Sequence, residues 1–422
     1  MTTSSLASRV IGFFLRIYIS RTFGNEQIGL YQLIFPIYAL CFSITSAGIE
    51  LALSRCVAKA NSLGQKNRAF FLLYISLFLS VLLSCLIILT LSQNASEISI
   101  HILGDLRCEP LLVTLSYTLP FASIHSCICG YYLGTHYANV FAYSQLIEQL
   151  CRVISIMVLC HLFSSNILFA VYGIIMSEII SAVFCIIYFL QNGGFETTKF
   201  PFLQIPSLIK ELLSLATPLT LNRLLTNLLQ SIESISIPLS LQKYGYTNTD
   251  ALSAFGILTG MALPCVLFPS AITNSLATFL LPTVTELQTK QNRLQLRQII
   301  QKTFSLCVIL GMGSCFLFFI FSNFIGTKIF HNSEITKYLK VLCWICPFLY
   351  TNTTLSSIIN GLGKTRTTFF FNSFCIFFRI LSIIVFVPRI GINGYLWGLL
   401  LSQLCSFFLQ FFYLFHQLKR TP

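Results

Sequence analysis

The segment PFASIHSCICGYYLGTHYANVFAYSQLIEQLCRVISI, at positions 120–156, decides the fold because its framework returns in the later part of the chain. Positions 347–383 read PFLYTNTTLSSIINGLGKTRTTFFFNSFCIFFRILSI. The residues shared at identical spacing are Pro120-Phe121, Gly134, Arg152, Ser155 and Ile156 in the first copy, and Pro347-Phe348, Gly361, Arg379, Ser382 and Ile383 in the second. A proline, a glycine and an arginine at fixed distances within apolar sequence indicate an internal duplication.

The repeat continues beyond this segment. Gly173, Ser177, Glu178 and Ser181 return as Gly398, Ser402, Gln403 and Ser406, slightly out of the earlier register. The match in the amino-terminal part of each copy is weaker: residues 21–24 resemble residues 242–245, and residues 46–47 match residues 270–271. Copies of about two hundred residues are far longer than solenoid units. The sequence therefore predicts two equal lobes, residues 1–200 and residues 201–422.

Composition indicates a membrane protein. Hydrophobic residues make up 55% of the chain and charged residues 9%, with a mean hydropathy of +0.80, whereas soluble domains carry about 25% charged residues. A helix that crosses the hydrocarbon needs about 20 mostly apolar residues. We therefore predict an all-α integral membrane protein with about twelve transmembrane helices in two repeated six-helix lobes. The predicted spans are 4–21, 29–54, 69–92, 110–131, 142–163, 166–190, 208–239, 252–283, 300–324, 338–360, 367–388 and 393–416.

The distribution of lysine and arginine predicts the orientation. With a cytoplasmic amino terminus, fourteen of the 26 basic residues lie in inside segments, seven in outside segments and five within spans. Inside segments of membrane proteins are enriched in these residues, so we expect both termini in the cytoplasm and the protein in the cell membrane. The net charge of +13 then reflects topology and anionic lipid head groups rather than nucleic acid. The first apolar run carries two arginines and no cleavage pattern, so it is expected to remain as a helix.

Motifs for chemistry are missing from the sequence. The sixteen cysteines are scattered through the spans, where a free thiol behaves as a small apolar group. The close pairs Cys127/Cys129 and Cys343/Cys346 have no second cysteine pair nearby to complete a zinc site. The sequence also shows no phosphate-binding glycine loop and no nucleophile elbow. We therefore predict that the protein is not an enzyme and holds no metal or other cofactor.

Arginines within spans are the strongest candidates for a binding site. Arg9 and Arg16 are spaced two helical turns apart, on one face of the first helix. Their planar guanidinium groups can pair bidentately with phosphate oxygens. The alternative is that each reaches toward the nearer lipid head groups. We favour ligands for a phosphate group in a central cavity.

The seventh helix adds polar residues at membrane depth. Arg223 lies near its middle and is expected to face the same cavity. Its polar neighbours are predicted to be cavity or coupling residues: Asn222, Asn227, Gln230 and Glu233. On the second helix, Glu50 is either a structural partner for an arginine or a protonatable coupling group.

Arg152 and Arg379 occupy equivalent positions in the two copies, so a structural role is favoured over substrate contact. Glu148 can pair with Arg152 along one helix, whereas Cys375 stands at the equivalent position before Arg379. Glu178, whose counterpart is Gln403, is expected to be neutral or paired.

Helix-breaking residues concentrate on the second and eighth spans. They are Pro36, Gly48, Gly256, Gly260, Pro264 and Pro269, with Pro218 on the seventh span. Such residues loosen a helix or allow close packing of neighbouring helices. We interpret Pro36, Gly48, Pro264 and Pro269 as elements of a gate.

The opening of the chain resembles a known family. The segments are Arg9-Val-Ile-Gly12 leading to Arg16 and Gly24, then Gly29-Leu-Tyr-Gln-Leu-Ile-Phe-Pro-Ile-Tyr38 and Ser46-Ala-Gly48. They resemble stage V sporulation protein B-like polysaccharide transporters of the MOP exporter superfamily, which are related to MurJ-type lipid II flippases. Residues 258–270 resemble the eighth helix of the same group.

The resemblance implies a V-shaped, MATE-like pair of six-helix lobes around a cationic cavity that opens alternately to either face. It also implies that the cargo is a glycan precursor on polyprenyl pyrophosphate, for cell-wall or spore-cortex peptidoglycan, bound by Arg9 and Arg16. The energy source is open between a coupling cation, H⁺ or Na⁺, and the membrane potential. A glycan polymerase is a candidate partner.

Two alternatives have different cargo or none. A MATE-type multidrug exporter shares the fold, but it needs an acidic cavity for cationic drugs, whereas the first helix here carries arginines. A non-transporting scaffold for glycan polymerases would keep the bundle and tolerate the loss of Arg9 and Arg16.

Overall fold

The computed structural model describes residues 2–163, 166–192, 205–290 and 292–420, and all regular structure within them is helical. The helices before residue 200 are α1 (Thr2–Thr22), α2 (Asn25–Phe42), α3 (Gly48–Ser62), α4 (Lys66–Glu97), α5 (Cys108–Ser116), α6 (Leu119–Gly134), α7 (Ala138–Leu162) and α8 (Ile167–Gln191). Those after it are α9 (Ile205–Tyr244), α10 (Asn248–Gly256), α11 (Leu263–Leu267), α12 (Ser270–Thr289), α13 (Arg293–Phe324), α14 (Glu334–Leu342), α15 (Cys346–Gly361), α16 (Thr365–Ile390) and α17 (Ile392–Arg420). Short π-helical segments cover Ser43–Ala47, Ile98–Leu103, Ile257–Ala262 and Ile325–Ile329.

The helices repeat in the order that the duplication predicts. The first residues of α4 and α13 are separated by the same interval as the two copies of the framework. Each of these helices leads into a π-helical segment, Ile98–Leu103 or Ile325–Ile329. The last residues of α6 and α15, Gly134 and Gly361, are the paired glycines of the repeat. Both copies therefore fold the same sequence framework into the same succession of helices.

Close glycine packing extends this equivalence to α3 and α12. A Cβ added to Gly134 would lie 2.6 Å from the Ser54 carbonyl oxygen and 2.8 Å from Val57 Cβ. At Gly361 the corresponding distances are 3.0 Å to the Leu281 carbonyl oxygen and 2.9 Å to Val284 Cβ. Ser54 and Leu281, like Val57 and Val284, stand in the register that relates the two glycines. Each half thus packs its glycine against the same point of an equivalent helix.

The chain is a multi-pass membrane protein. Nine of the described helical segments are long and apolar enough to cross a membrane, and the bent pair Cys108–Ser116 and Leu119–Gly134 brings the number to ten. This differs from the predicted twelve. The first and seventh predicted spans do fold as helices, α1 and α9, but neither is among the segments that are apolar enough. The reason is that both helices carry polar residues within the span, Arg9 and Arg16 on α1 and Arg223 with Asn222 and Asn227 on α9.

Contacts between residues divide the chain into two compact units. Unit 1 contains Met1–Leu15 and Leu30–Ser231, and unit 2 contains Arg16–Gly29 and Ile232–Pro422. Fully buried Leu53, Leu72 and Leu73 lie in the core of unit 1, and Val284 and Ile359 lie in the core of unit 2. The lobe boundary at residue 200 lies outside the described residues and stays a prediction. Lys199, one of the fourteen basic residues in the predicted inside segments, also lies outside them.

Candidate functional site

Arginines of the predicted spans fall into two groups by exposure. Arg9, Arg16 and Arg223 are exposed. The side chains of Arg152 and Arg379 are only 21% and 18% exposed, and both form ion pairs with carboxylates. An uncompensated charge in hydrocarbon costs several kcal/mol and normally faces water or protein. The second group therefore serves the interior of each unit, whereas the role of the three exposed arginines as ligands for a phosphate stays a prediction.

Arg9 and Arg16 lie on the continuous helix α1. Two turns of α-helix correspond to a rise of about 10 Å and return a side chain to nearly the same face. Arg9 belongs to unit 1 and Arg16 to unit 2. The helix spacing that suggested a phosphate ligand is thus present, and the phosphate itself stays a prediction.

Polar residues of α9 have different environments. Arg223, Asn222 and Gln230 are exposed. Asn227 instead donates its amide hydrogens to the Ser43 hydroxyl at 2.6 Å and the Ala39 carbonyl oxygen at 3.2 Å. It is therefore an anchor for the irregular end of α2, since Ser43 begins a π-helical segment. This contact gives Asn227 a structural role within unit 1.

Glu50 lies on α3 among charged groups of unit 1. Its carboxylate interacts electrostatically with Arg223 and His125. A Cβ added to Gly130 would lie 2.8 Å from the Glu50 carbonyl oxygen, so α3 and α6 are in close contact here. Both expected roles of Glu50, as an arginine partner and as a protonatable group, stay predictions.

Arg152 connects α7 to α8 within unit 1. Its Nη2 forms an ion pair with Glu148 one turn earlier and lies 3.6 Å from Glu178 Oε1. Its Nε donates to the Ser177 hydroxyl at 3.3 Å. One guanidinium group thus serves two carboxylates, and the sequence-predicted pair of Glu148 and Arg152 is present.

Arg379 meets a different partner in unit 2. Its Nη2 lies 3.1 Å from Glu233 Oε2, and the Tyr395 hydroxyl donates to Glu233 Oε1 at 3.0 Å. Glu233, only 6% exposed, was predicted as a cavity or coupling residue. The structure places Glu233 in a buried ion pair with Arg379. This pair supplies the carboxylate that Arg379 lacks on its own helix, where Cys375 stands at the position equivalent to Glu148.

Three of the four predicted gate residues, Gly48, Pro264 and Pro269, border irregular backbone, whereas Pro36 lies within a regular helix. Pro36 lies inside α2, and its carbonyl oxygen accepts a hydrogen bond from Ser231 at 3.0 Å. Pro264 follows the π-helical segment Ile257–Ala262, and Pro269 immediately precedes α12. At Gly48, a Cβ would lie 1.8 Å from Thr220 Oγ1, so this glycine is required for close packing of α3 on α9. Gating by these residues stays a prediction.

Two residues were missed by sequence reasoning, buried Tyr395 and partly buried His125. Tyr395 binds Glu233, and His125 on α6 lies 3.7 Å from Glu178. His125 also shares two groups of potential metal donors, one with Cys129 and Cys185 and one with Glu148 and Glu178. His125 stands at the same distance from Pro120 as Asn352 does from Pro347, so the two residues occupy equivalent repeat positions. Comparing polar residues at equivalent repeat positions would have found it.

Solved structures identify the fold. A multidrug resistance MATE family transporter of the MOP superfamily, in its inward-facing conformation, aligns with a TM-score of 0.77 over 100% of both chains at 15% identity. A MOP superfamily transporter from Pyrococcus furiosus Vc1 (DSM3638) aligns with a TM-score of 0.69 over 99% of this chain and 94% of that chain at 13% identity. The fold is therefore the all-α fold of MOP superfamily transporters.

Sequence comparison defines the family. The chain belongs to the family described as Polysaccharide biosynthesis protein, whose model matches residues 1–288, and a MatE model matches residues 223–385. Stage V sporulation protein B of Bacillus subtilis (strain 168) is 26% identical over 372 residues, 86% of this chain and 72% of that protein. Lipid II flippase MurJ of the same organism is 23% identical over 406 residues, 87% of this chain and 72% of that protein. The predicted resemblance to stage V sporulation protein B-like MOP transporters is confirmed.

Proposed function

We propose that this protein is a flippase that moves a lipid-linked glycan precursor, carried on polyprenyl pyrophosphate, across the cell membrane by alternating access. The observation that carries the proposal is the exposure of Arg9, Arg16 and Arg223 on α1 and α9, which are less apolar than the candidate membrane spans. Helices facing only lipid do not retain exposed guanidinium groups at this depth without cost. The names of the relatives, among them a lipid II flippase, support the same class of cargo.

The chemistry of the cargo fits these groups. A pyrophosphate and its sugars cannot cross hydrocarbon, whereas the polyprenyl tail can stay in lipid while the head moves. Arg9 and Arg16 offer planar forks of donors that bind phosphate oxygens bidentately, and Arg223 adds a third positive charge. The cycle needs no covalent step. A coupling cation or the membrane potential, about 2.3 kcal/mol per charge per 100 mV, would drive it.

The setting follows from the same proposal. Both termini lie in the cytoplasm, since basic residues are in excess on that side. The product emerges on the outer face, where a glycan polymerase would consume it. The names of the sporulation relatives favour cell-wall or spore-cortex peptidoglycan as the final polymer.

The test is translocation of a fluorescent polyprenyl-pyrophosphate glycan in proteoliposomes. The double substitution Arg9→Ala, Arg16→Ala should reduce the rate at least tenfold, because two bidentate phosphate contacts are lost. The lysine double variant should retain part of the rate, since it keeps charge without the fork. Arg55→Ala, at an exposed arginine outside this set, is the matched control. Wild-type rates in the alanine variant would contradict the proposed phosphate site.

A multidrug exporter is the second candidate, and the MatE match over residues 223–385 favours it. Efflux of a cationic dye from the same vesicles tests it directly. Dye efflux without glycan movement would replace the flippase by the exporter. If the folded protein moves neither the glycan nor the dye, the non-transporting scaffold is favoured.

A further inference from the structure

A cluster of ionisable side chains lies in the interior of unit 1, where α6, α7 and α8 meet. It consists of His125, Glu148, Arg152 and Glu178, and is called here the His125 cluster. Arg152 pairs with Glu148 and lies 3.6 Å from Glu178 Oε1. The other oxygen, Glu178 Oε2, lies 3.7 Å from His125 Nδ1. Glu178 is 8% exposed, and within the described residues its Oε2 has no hydrogen-bond partner.

The charges of this cluster balance only if it binds one further positive charge. Two carboxylates and one guanidinium group sum to a net charge of minus one when the imidazole is neutral. A net charge buried at membrane depth is unfavourable by several kcal/mol. Nδ1 of His125 faces the unsatisfied oxygen of Glu178, and its Nε2 lies 3.1 Å from the Ser144 hydroxyl. A doubly protonated imidazole would therefore have an acceptor on each side.

Other titratable groups around His125 do not supply this charge. Glu50 faces it from α3, but that carboxylate also interacts with Arg223. Cys129 on α6 lies 4.0 Å from Cys185 on α8, and thiols are neutral or negative but never positive. Tyr38 on α2 interacts with Glu148, Arg152 and Glu178 and likewise adds no positive charge.

The second half of the chain shows that the fold does not require these ionisable groups. The repeat positions of His125 and Glu178 are Asn352 and Gln403, which lie in unit 2. Asn352 Nδ2 donates to Gln403 Oε1 at 2.9 Å and to the Gln403 carbonyl oxygen at 3.0 Å. Two amides that do not titrate thus occupy the same pair of positions. A purely structural need at this place is met by the amide pair.

We propose that His125 and Glu178 form a proton-binding site that takes up and releases one proton in each transport cycle. The proton moves between bulk water and His125 Nδ1, with Glu178 as the counter-charge and Arg152 neutralised by Glu148. The binding site stands on the geometry of unit 1, whereas its link to transport rests on the proposed function. Asn352 and Gln403 make the second half insensitive to protons at the equivalent place.

Titration of His125 tests the site without any transport assay. Protein with ¹⁵N-labelled histidine in nanodiscs is studied by NMR between pH 5 and 9, and the His125 signal is assigned by its loss in His125→Asn. The signal should change from imidazolium to neutral imidazole within this range. In Glu178→Gln, the titration midpoint of His125 should fall by about one pH unit. A tenfold higher proton concentration is then needed to form the imidazolium, because its counter-charge is lost. The matched control is Glu97→Gln with His101→Asn, an exposed pair in the same half, which should leave the His125 titration unchanged.

Three results would overturn the proposal. The first is a His125 signal that stays neutral at every pH, and the second is a titration that Glu178→Gln leaves unchanged. A stoichiometric transition metal bound in the purified protein, held by His125, Cys129 and Cys185, would also replace the proton as the ligand.

Transport under a pH gradient tests the coupling. The double variant His125→Asn, Glu178→Gln copies the amide pair of the second half and leaves Glu148 and Arg152 balanced, so it is expected to fold. Its glycan translocation should not respond to a gradient that changes the wild-type rate severalfold. An equal response in variant and wild type would contradict the coupling. If the wild type moves no glycan, the proposed function fails while the NMR titration still decides the site.

Discussion

Arg152 and Arg379 show how one residue type at one repeat position can be neutralised in two ways. Arg152 meets Glu148 on its own helix and Glu178 on the next, whereas Arg379 meets Glu233 on α9. The arginine is common to both copies, but its partner is specific to each. A buried charge is tolerated only when paired, so each copy needed a carboxylate and obtained it from a different helix.

Removal of Arg379 should therefore destabilise the protein. Arg379→Ala leaves Glu233 buried without its cation, and breaking such a pair costs about 3–5 kcal/mol. Thermal unfolding of purified protein in detergent should show a lower Tm and a lower yield than wild type. Arg152→Ala should act in the same direction. Equal losses of yield in Arg9→Ala and Arg16→Ala would contradict the division between structural and ligand-binding arginines.

At the scale of helices, glycine contacts fix which faces meet. Gly134 on α6 and Gly361 on α15 each admit a backbone carbonyl and a valine of a neighbouring helix. Close approach at small residues is a main source of helix association in membranes, because lipid tails provide no hydrophobic driving force. The equivalence of α3 with α12 rests on this packing, since the weak amino-terminal sequence match does not reveal it.

Alanine at these glycines should loosen both halves alike. Gly134→Ala and Gly361→Ala place a methyl group 3.0 Å or less from a carbonyl oxygen, and we expect a loss of about 1–3 kcal/mol in each case. The matched control is Gly313→Ala, also within a helix, where an added Cβ meets nothing within 4 Å. Unfolding in detergent measures all three. Because alanine favours a helix more than glycine does, Gly313→Ala should not destabilise the protein. A loss at Gly313 equal to the others would contradict packing as the cause.

For the whole molecule, the duplication supplies two copies of one framework with different chemistry. The first copy carries His125 and Glu178, and the second carries Asn352 and Gln403 at the equivalent positions. Such asymmetry is expected when only one half of a repeated transporter handles a particular ion. The common framework preserves helix packing while polar positions diverge.

Orientation is a testable property of the whole molecule. Alkaline phosphatase fused after Gly104 should be active, because the segment 104–107 is predicted to lie outside and the enzyme folds only there. The same enzyme fused after Gly64 should be inactive, whereas green fluorescent protein should fluoresce at that position and at the carboxyl terminus. The reversed pattern would place both termini outside and contradict the basic-residue rule.

The sequence by itself determined the all-α membrane fold, the duplication, the family and the list of charged residues at membrane depth. Composition and repeat spacing carry this information because the bilayer requires long apolar helices and because a duplication leaves equally spaced residues. Only the tertiary structure decided which charges meet. Glu233 on α9 joined Arg379 on α16, and His125 on α6 joined Glu178 on α8. Such pairs depend on how helices pack, and a linear pattern records only the side chains within one helix.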